Sequence, residues 1–136
     1  ALGDPGVLVH GVAIKPGKPT ILAVAQGKPV FGLPGHPMSC LVVFNLFCAP
    51  AIARWMGMTL DRRETEARLR ANVASIAGRE DYISIRLRRE DGGVWADPVF
   101  SKSAAISGLV YADGVMRIPM EAEGVEKGER ITVTLF

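Results

Sequence analysis

Acidic residues are nearly missing from the first sixty positions, where Asp4 stands alone against Lys15, Lys18, Lys28 and Arg54. That stretch has no carboxylate pair to offer a divalent cation such as magnesium, which takes one or two carboxylates plus substrate phosphates. Cysteine is scarce as well. Cys40 and Cys48 lie eight residues apart on one expected helix. A helix would hold them roughly 12 Å apart along its axis, whereas a disulfide needs Cα atoms within about 7 Å. They lack metal-ligand spacing and read as small buried apolar residues in a reducing, cytoplasmic setting. The longest apolar run, Leu41–Ala53, contains Asn45 and Pro50. It falls short of the roughly 20 residues that span a bilayer, so no membrane is expected. No basic-then-apolar leader opens the chain. A surplus of one charge is also lacking. Sixteen basic against fourteen acidic residues leave +2, too even to drive non-specific nucleic-acid binding. The chain does not open with Met, and Ala1-Leu2-Gly3-Asp4-Pro5-Gly6 reads as a loop. A piece of a longer protein is the expectation.

What is there suits a globular chain. Of 136 residues, 49% are hydrophobic and 22% charged. Seven of the nine prolines and a net charge of +3 fall before residue 61, and the remainder carries −1. Such a break predicts two structural units, residues 1–60 and 61–136, joined near Leu60–Glu64.

The first unit reads as three strands and a helix. Val7–Ile14 is apolar and β-branched apart from His10 and Gly11, Thr20–Ala25 is a second strand, and Pro29–Leu33 is a short third one. Pro34-Gly35-His36-Pro37 then breaks the chain, and a helix is expected over Pro37–Met56. Pro37 sits at its first turn, where a missing N–H costs nothing. This helix is apolar nearly all round and must be covered by further protein. Pro50 should kink it, and Gly57 should stop it. The second unit is strand-patterned. Glu66–Val73 and Tyr82–Arg88 alternate strictly. Asp91-Gly92 signals a hairpin into Gly93–Val99. Val115–Pro119 and Arg130–Leu135 follow, the last entered through Lys127-Gly128-Glu129. The fold class is therefore α/β followed by all-β, ending in a small barrel or sandwich.

Two loops could carry chemistry. In Ile14-Lys15-Pro16-Gly17-Lys18-Pro19, prolines stiffen a turn from which two lysines project, and ammonium groups held this way suit an oxyanion. Composition alone favours an ordinary surface turn. In Phe31-Gly32-Leu33-Pro34-Gly35-His36-Pro37-Met38-Ser39, a strand ends in a Gly/Pro loop and a helix starts at once. Free N–H groups and the positive end of the helix dipole bind anions there, and Ser39 adds a hydroxyl. An ordinary connection between strand and helix has the same outline. The Gly-Lys-Ser/Thr ending of a phosphate-binding P-loop is missing.

Taken together, Val9-His10-Gly11-Val12-Ala13-Ile14-Lys15-Pro16-Gly17-Lys18-Pro19-Thr20 and Val30-Phe31-Gly32-Leu33-Pro34-Gly35-His36-Pro37-Met38-Ser39-Cys40 closely resemble the molybdopterin molybdenumtransferase (MoeA) family. Gly78-Arg79, Ala112-Asp113-Gly114-Val115-Met116-Arg117-Ile118-Pro119 and the closing Val133-Thr134-Leu135-Phe136 extend the likeness over essentially the whole chain. The resemblance implies molybdenum cofactor biosynthesis, with molybdate inserted into adenylylated molybdopterin, AMP released and Mg2+ assisting. It implies a homodimer when full length. It places residues 1–60 at the end of an αβα molybdopterin-binding domain and makes 61–136 a C-terminal β-barrel domain. The family's glycine-rich and acidic motifs are not in this sequence, so its catalytic acids and magnesium ligands are expected mainly outside this chain.

Carried over by position, the family's oxyanion-binding lysines fall on Lys15 and Lys18, around Gly17. Its Leu-Pro-Gly-Asn-Pro loop falls on Pro34, Gly35, His36 and Pro37, and the serine that follows falls on Ser39. Its barrel arginine falls on Arg79, which otherwise reads as a solvated residue of a Gly-Arg turn. Its barrel serine falls on Ser103, with Ser101 and Ser107 as alternatives. His36 replaces the usual asparagine. It either alters oxyanion or nucleotide preference or is a tolerated loop change. His10 reads as structural. A scaffolding relative that dimerises and binds a protein partner is the other function the resemblance leaves open.

Overall fold

The computed structural model describes residues 3–90, 92–100 and 107–136. The first strands are β1 (Gly6–His10), β2 (Ile14–Lys15), β3 (Ile21–Ala25) and β4 (Lys28–Gly32). A helix follows in three pieces, α1 (Pro37–Val43), a π-helical turn over Phe44–Cys48, and α2 (Ala49–Trp55). The remainder runs β5 (Glu64–Leu69), β6 (Val73–Ala74), β7 (Glu80–Glu90), β8 (Gly93–Pro98), α3 (Ser107–Val110), β9 (Gly114–Ile118), β10 (Gly124–Val125) and β11 (Arg130–Leu135).

Strands β1, β3 and β4 form an antiparallel sheet in that order. The strand expected over Val7–Ile14 breaks after His10. Gly11 turns at φ 90°, and Val12 N–H donates to the Lys18 carbonyl at 2.9 Å. Ile14 and Lys15 thereby leave the first sheet and pair in parallel with Glu80 and Asp81 of β7.

The helix starts with Pro37, as its sequence dictates. Pro50 does not simply kink it. The turn before Pro50 widens, and Ala49 N–H donates to the Phe44 carbonyl in place of the usual partner four residues back. Proline lacks an N–H and its ring crowds the carbonyl four residues earlier, so a wider turn relieves both problems. At the far end Met58 N–H donates to Ala53 and Gly57 N–H to Arg54, a Schellman stop with Gly57 at φ 66°. The continuous helix Pro37–Trp55 has 19 residues and a mean hydropathy of 1.5. It exceeds the apolar run seen in the sequence and is, by length and composition, long enough to cross a membrane. One side buries Met38, Ser39, Val42, Val43 and Cys48. The other leaves Phe44, Ile52 and Trp55 exposed, so the helix is only partly covered. Cys40 and Cys48 are both free, and burial pushes the Cys48 thiol above its ordinary value.

The second part closes into a five-stranded barrel, β7-β8-β5-β11-β9, sealed by pairing of β9 back onto β7. β7 is long enough to serve on both edges. Ile85 pairs with Pro98 on one side and Gly114 on the other. The core holds Leu69, Ile85, Ala96, Met116, Ile118 and Val133, each at most 1% exposed. The strand expected over Glu66–Val73 stops at Leu69, and Val73–Ala74 pairs separately with β10. The strand expected through Pro119 ends at Ile118, because proline brings no donor to the ladder. The hairpin is present, with Glu90 opposite Gly93, although Asp91 lies outside the described residues.

On β7, the Tyr82 hydroxyl donates to Glu80 Oε2 at 2.7 Å, and Arg117 of β9 donates to Glu80 Oε1. The Arg117 bond, with the Tyr82 bond adding to it, holds the Glu80 carboxyl below its ordinary value. Burial, then the Glu80 bond, pushes the Tyr82 phenol up to about 12.

Two outcomes follow from this packing. Ile85→Ala is expected to cost about 2–5 kcal/mol, because the residue is fully buried where three strands meet; denaturant unfolding reads it. The Glu80 contribution to stability is present above the unfolded carboxylate value and is lost as pH falls through the depressed folded value. The Tyr82 contribution is complete below the unfolded phenol value near ~10 and is lost as pH rises through about 12. Ultraviolet titration should show Tyr82 ionising near 12 and lower in Glu80→Gln. Ionisation of Tyr82 near the ordinary value of ~10 would contradict the cluster.

Candidate functional site: a cationic cleft between loop, helix and barrel

A cleft of about 710 Å³ opens where the lysine loop, the helix start and the barrel meet. Its walls include Lys15, Gly17, Lys18, Pro34, Gly35, His36, Ser39 and Arg79. The structure thus brings together residues separated by more than sixty positions. Pro37 begins the helix behind this wall and does not line it. Ser103 and Ser101 lie outside the described residues, and nothing is described of the Ser107 side chain.

The lysine loop is fixed from beneath. Thr20, fully buried, donates its hydroxyl to the Gly17 carbonyl at 2.6 Å, and Thr20 N–H donates to the same carbonyl at 3.2 Å. Gly17 sits at φ 123°, against Val43 of α1 and Ile14 of β2. A Cβ there would lie 2.7 Å from Val43 Cγ2 and 2.8 Å from Ile14 Cδ1. Only glycine allows the loop to lie this close to the helix. Lys15 and Lys18 on either side of it are exposed.

The second wall is the start of α1. Its first intrahelical bond runs from Cys40 N–H to the His36 carbonyl at 2.8 Å. The N–H groups of Met38 and Ser39 precede that bond, which places donors and the positive end of the dipole at the cleft. Ser39 itself is buried. His36 is exposed and occupies the N-cap position. His10, on the edge of β1, is exposed and does not line the cleft.

The third wall is the barrel. Arg79 enters just ahead of β7 and is not a solvated turn residue. Its Nε donates to Asp81 Oδ1 at 2.8 Å and its Nη2 to Oδ2 at 3.4 Å. The Asp81 side chain is 1% exposed, that of Arg79 32%. Sequence reasoning missed Asp81. The available signal was an arginine and an aspartate two apart at a strand start, which places them on one face. Tyr82, Ile83, Ser84, Val99 and Phe100 complete this wall. The Tyr82 hydroxyl is committed to Glu80, so the ring contributes its apolar face. Among the described residues, no group of three or more His, Cys, Asp or Glu could hold a metal ion. The described residues that line the cleft likewise include no Asp or Glu, so the cleft itself lacks the carboxylates that magnesium takes beside substrate phosphates.

Two family models match the chain. Residues 66–136 match the MoeA C-terminal region (domain IV), and residues 1–54 match a probable molybdopterin binding domain. A Methanocaldococcus jannaschii protein described as a molybdopterin biosynthesis protein is 38% identical over 136 residues, covering 99% of this chain and 31% of its own length. The Bacillus subtilis molybdopterin molybdenumtransferase is 30% identical over 132 residues, 96% of this chain and 31% of its own. A crystal structure of a molybdopterin biosynthesis MoeA protein from Pyrococcus horikoshii superposes with a TM-score of 0.82 at 40% identity, over 98% of this chain and 33% of that one. The chain spans about a third of the length of the curated relatives it matches. Their names do not favour the scaffolding alternative. The barrel that supplies Arg79 lies within the domain IV match, which covers more than half of the residues, and the chain belongs to the MoeA family.

Proposed function

We propose that the cleft binds molybdate for insertion into adenylylated molybdopterin, with release of AMP, in molybdenum cofactor biosynthesis. The observation that carries this reading is the convergence of Lys15, Lys18, Ser39 and Arg79 on one cavity. Molybdate is a tetrahedral dianion. Two ammonium groups, a guanidinium, a hydroxyl and helix-start N–H groups are the donors such an ion requires. Catalysis by this part of the molecule is electrostatic. The cationic walls hold the oxyanion in place, and their charge opposes its repulsion from the phosphate groups of the nucleotide. The lysine loop needs no rearrangement to do so, because Thr20 and Gly17 already fix it.

The same reading assigns residues 1–60 to the end of the αβα molybdopterin-binding domain and 61–136 to the barrel domain. It takes the full-length protein to be a cytoplasmic homodimer. The exposed apolar residues of β1 and of α2 give the first unit surface to bury against further protein.

Calorimetric titration of the full-length gene product with molybdate tests the assignment. Lys18→Ala and Arg79→Ala should each weaken binding by about tenfold or more, since each removes a charge-assisted donor. Wild-type affinity in both would sink it. Gly17→Ala should also weaken binding by displacing the lysine loop from Val43, and it should cost about 1–3 kcal/mol of stability through overpacking.

A further inference from the structure

The Asp81 carboxylate is out of place in a site for anions. Charge alone would have it repel the oxyanion that Lys15, Lys18 and Arg79 attract. It is also almost wholly buried, and a buried carboxylate is retained only with a bonded partner. That partner is Arg79, which it meets through both oxygens.

We propose that Asp81 is a positioning residue that aims the Arg79 guanidinium into the oxyanion cleft, an inference that rests on the molybdate reading above. The guanidinium is planar with five N–H donors. Asp81 takes the edge formed by Nε and Nη2. The opposite edge, carried by Nη1, is thereby turned away from Asp81, and Arg79 lines the cleft. Without the carboxylate, a long side chain at a strand entrance has many rotamers and must be ordered by the ligand itself. Asp81 is itself held firmly. Its backbone stands opposite Lys15 on one edge of β7 and Ile118 on the other. By strand alternation its side chain shares a face with Ile83 and Ile85, which pack in the barrel core. One residue therefore ties the lysine strand through its backbone and the arginine through its side chain. The relative placement of the cationic groups is set before any ligand arrives.

The sign of one substitution separates positioning from charge. Asp81→Asn removes a negative charge, so a purely electrostatic role predicts tighter molybdate binding. It also sets an amide N–H₂ against one guanidinium donor, so a positioning role predicts weaker binding. In the full-length gene product, titrated with molybdate alone at fixed ionic strength, we expect Asp81→Asn to bind about tenfold more weakly, the range of a charge-assisted bond. Asp81→Glu, which keeps the carboxylate, should recover part of the loss. Asp81→Asn combined with Arg79→Ala should be no weaker than Arg79→Ala alone. Asp81→Asn affinity equal to or tighter than wild type, with Arg79→Ala still weak, would overturn this inference and leave the cleft reading standing. Wild-type affinity in Arg79→Ala would also overturn this inference, and together with wild-type affinity in Lys18→Ala it would remove the cleft reading as well. A measurement on the unaltered protein covers the case in which the variants do not fold. The Arg79 Nε–H resonance should be protected from exchange in the absence of molybdate. Exchange as fast as at the exposed Arg86 would equally overturn the proposal.

Discussion

Two residues of β2 hold the first part of the chain to the barrel. Ile14 and Lys15 pair in parallel with Glu80 and Asp81, and Glu80 N–H donates to the Ala13 carbonyl at 2.9 Å. β2 continues the edge of β7 that β8 occupies further along, so the lysine loop emerges directly from the barrel wall. Arg79 precedes the same stretch of β7 by one residue. The cleft exists because this short ladder brings a loop near residue 17 within reach of a turn near residue 79. The helix closes the third side through Val43, which fills the space that a side chain at position 17 would need.

Charge in the cleft is placed by different means on each wall. The lysines stand exposed on a stiff loop, the arginine is held by a buried carboxylate, and the helix contributes backbone N–H groups without a formal charge. Asp81 offsets one of the three cations, so the walls keep a net positive charge. Glu80, the neighbouring acid, is kept out of this balance. Its carboxylate is taken by Arg117 and the Tyr82 hydroxyl, and Glu80 is not among the residues that line the cleft.

Much of this was legible in the residues. Alternation marked β5 and β7 because each has one face in a core. Pro37 and Gly57 marked the helix ends because their backbone chemistry fits only there. The lysine loop and the Pro34–Ser39 segment were visible as motifs, and their family likeness pointed to one anion. Three features were not legible. Val7–Ile14 reads as a continuous strand, yet Ile14–Lys15 belongs to the barrel sheet, and no local pattern records a partner sixty-six residues away. The widening at Phe44–Cys48 is a compromise between Pro50 and a helix stabilised by its neighbours, and propensity sees only the proline. Asp81 lies just ahead of the alternation at Tyr82–Arg88 and carries no motif of its own. Its importance depends on burial, which the sequence does not display.

If the β2–β7 ladder builds the oxyanion site, molybdate should be found in this one cleft. Anomalous diffraction at the molybdenum edge, from crystals of the full-length gene product soaked in molybdate, would locate the ion without reference to any activity. We expect one strong peak within bonding reach of Lys15, Lys18, Ser39 and Arg79. A peak elsewhere on the molecule, with this cleft empty, would contradict the assignment.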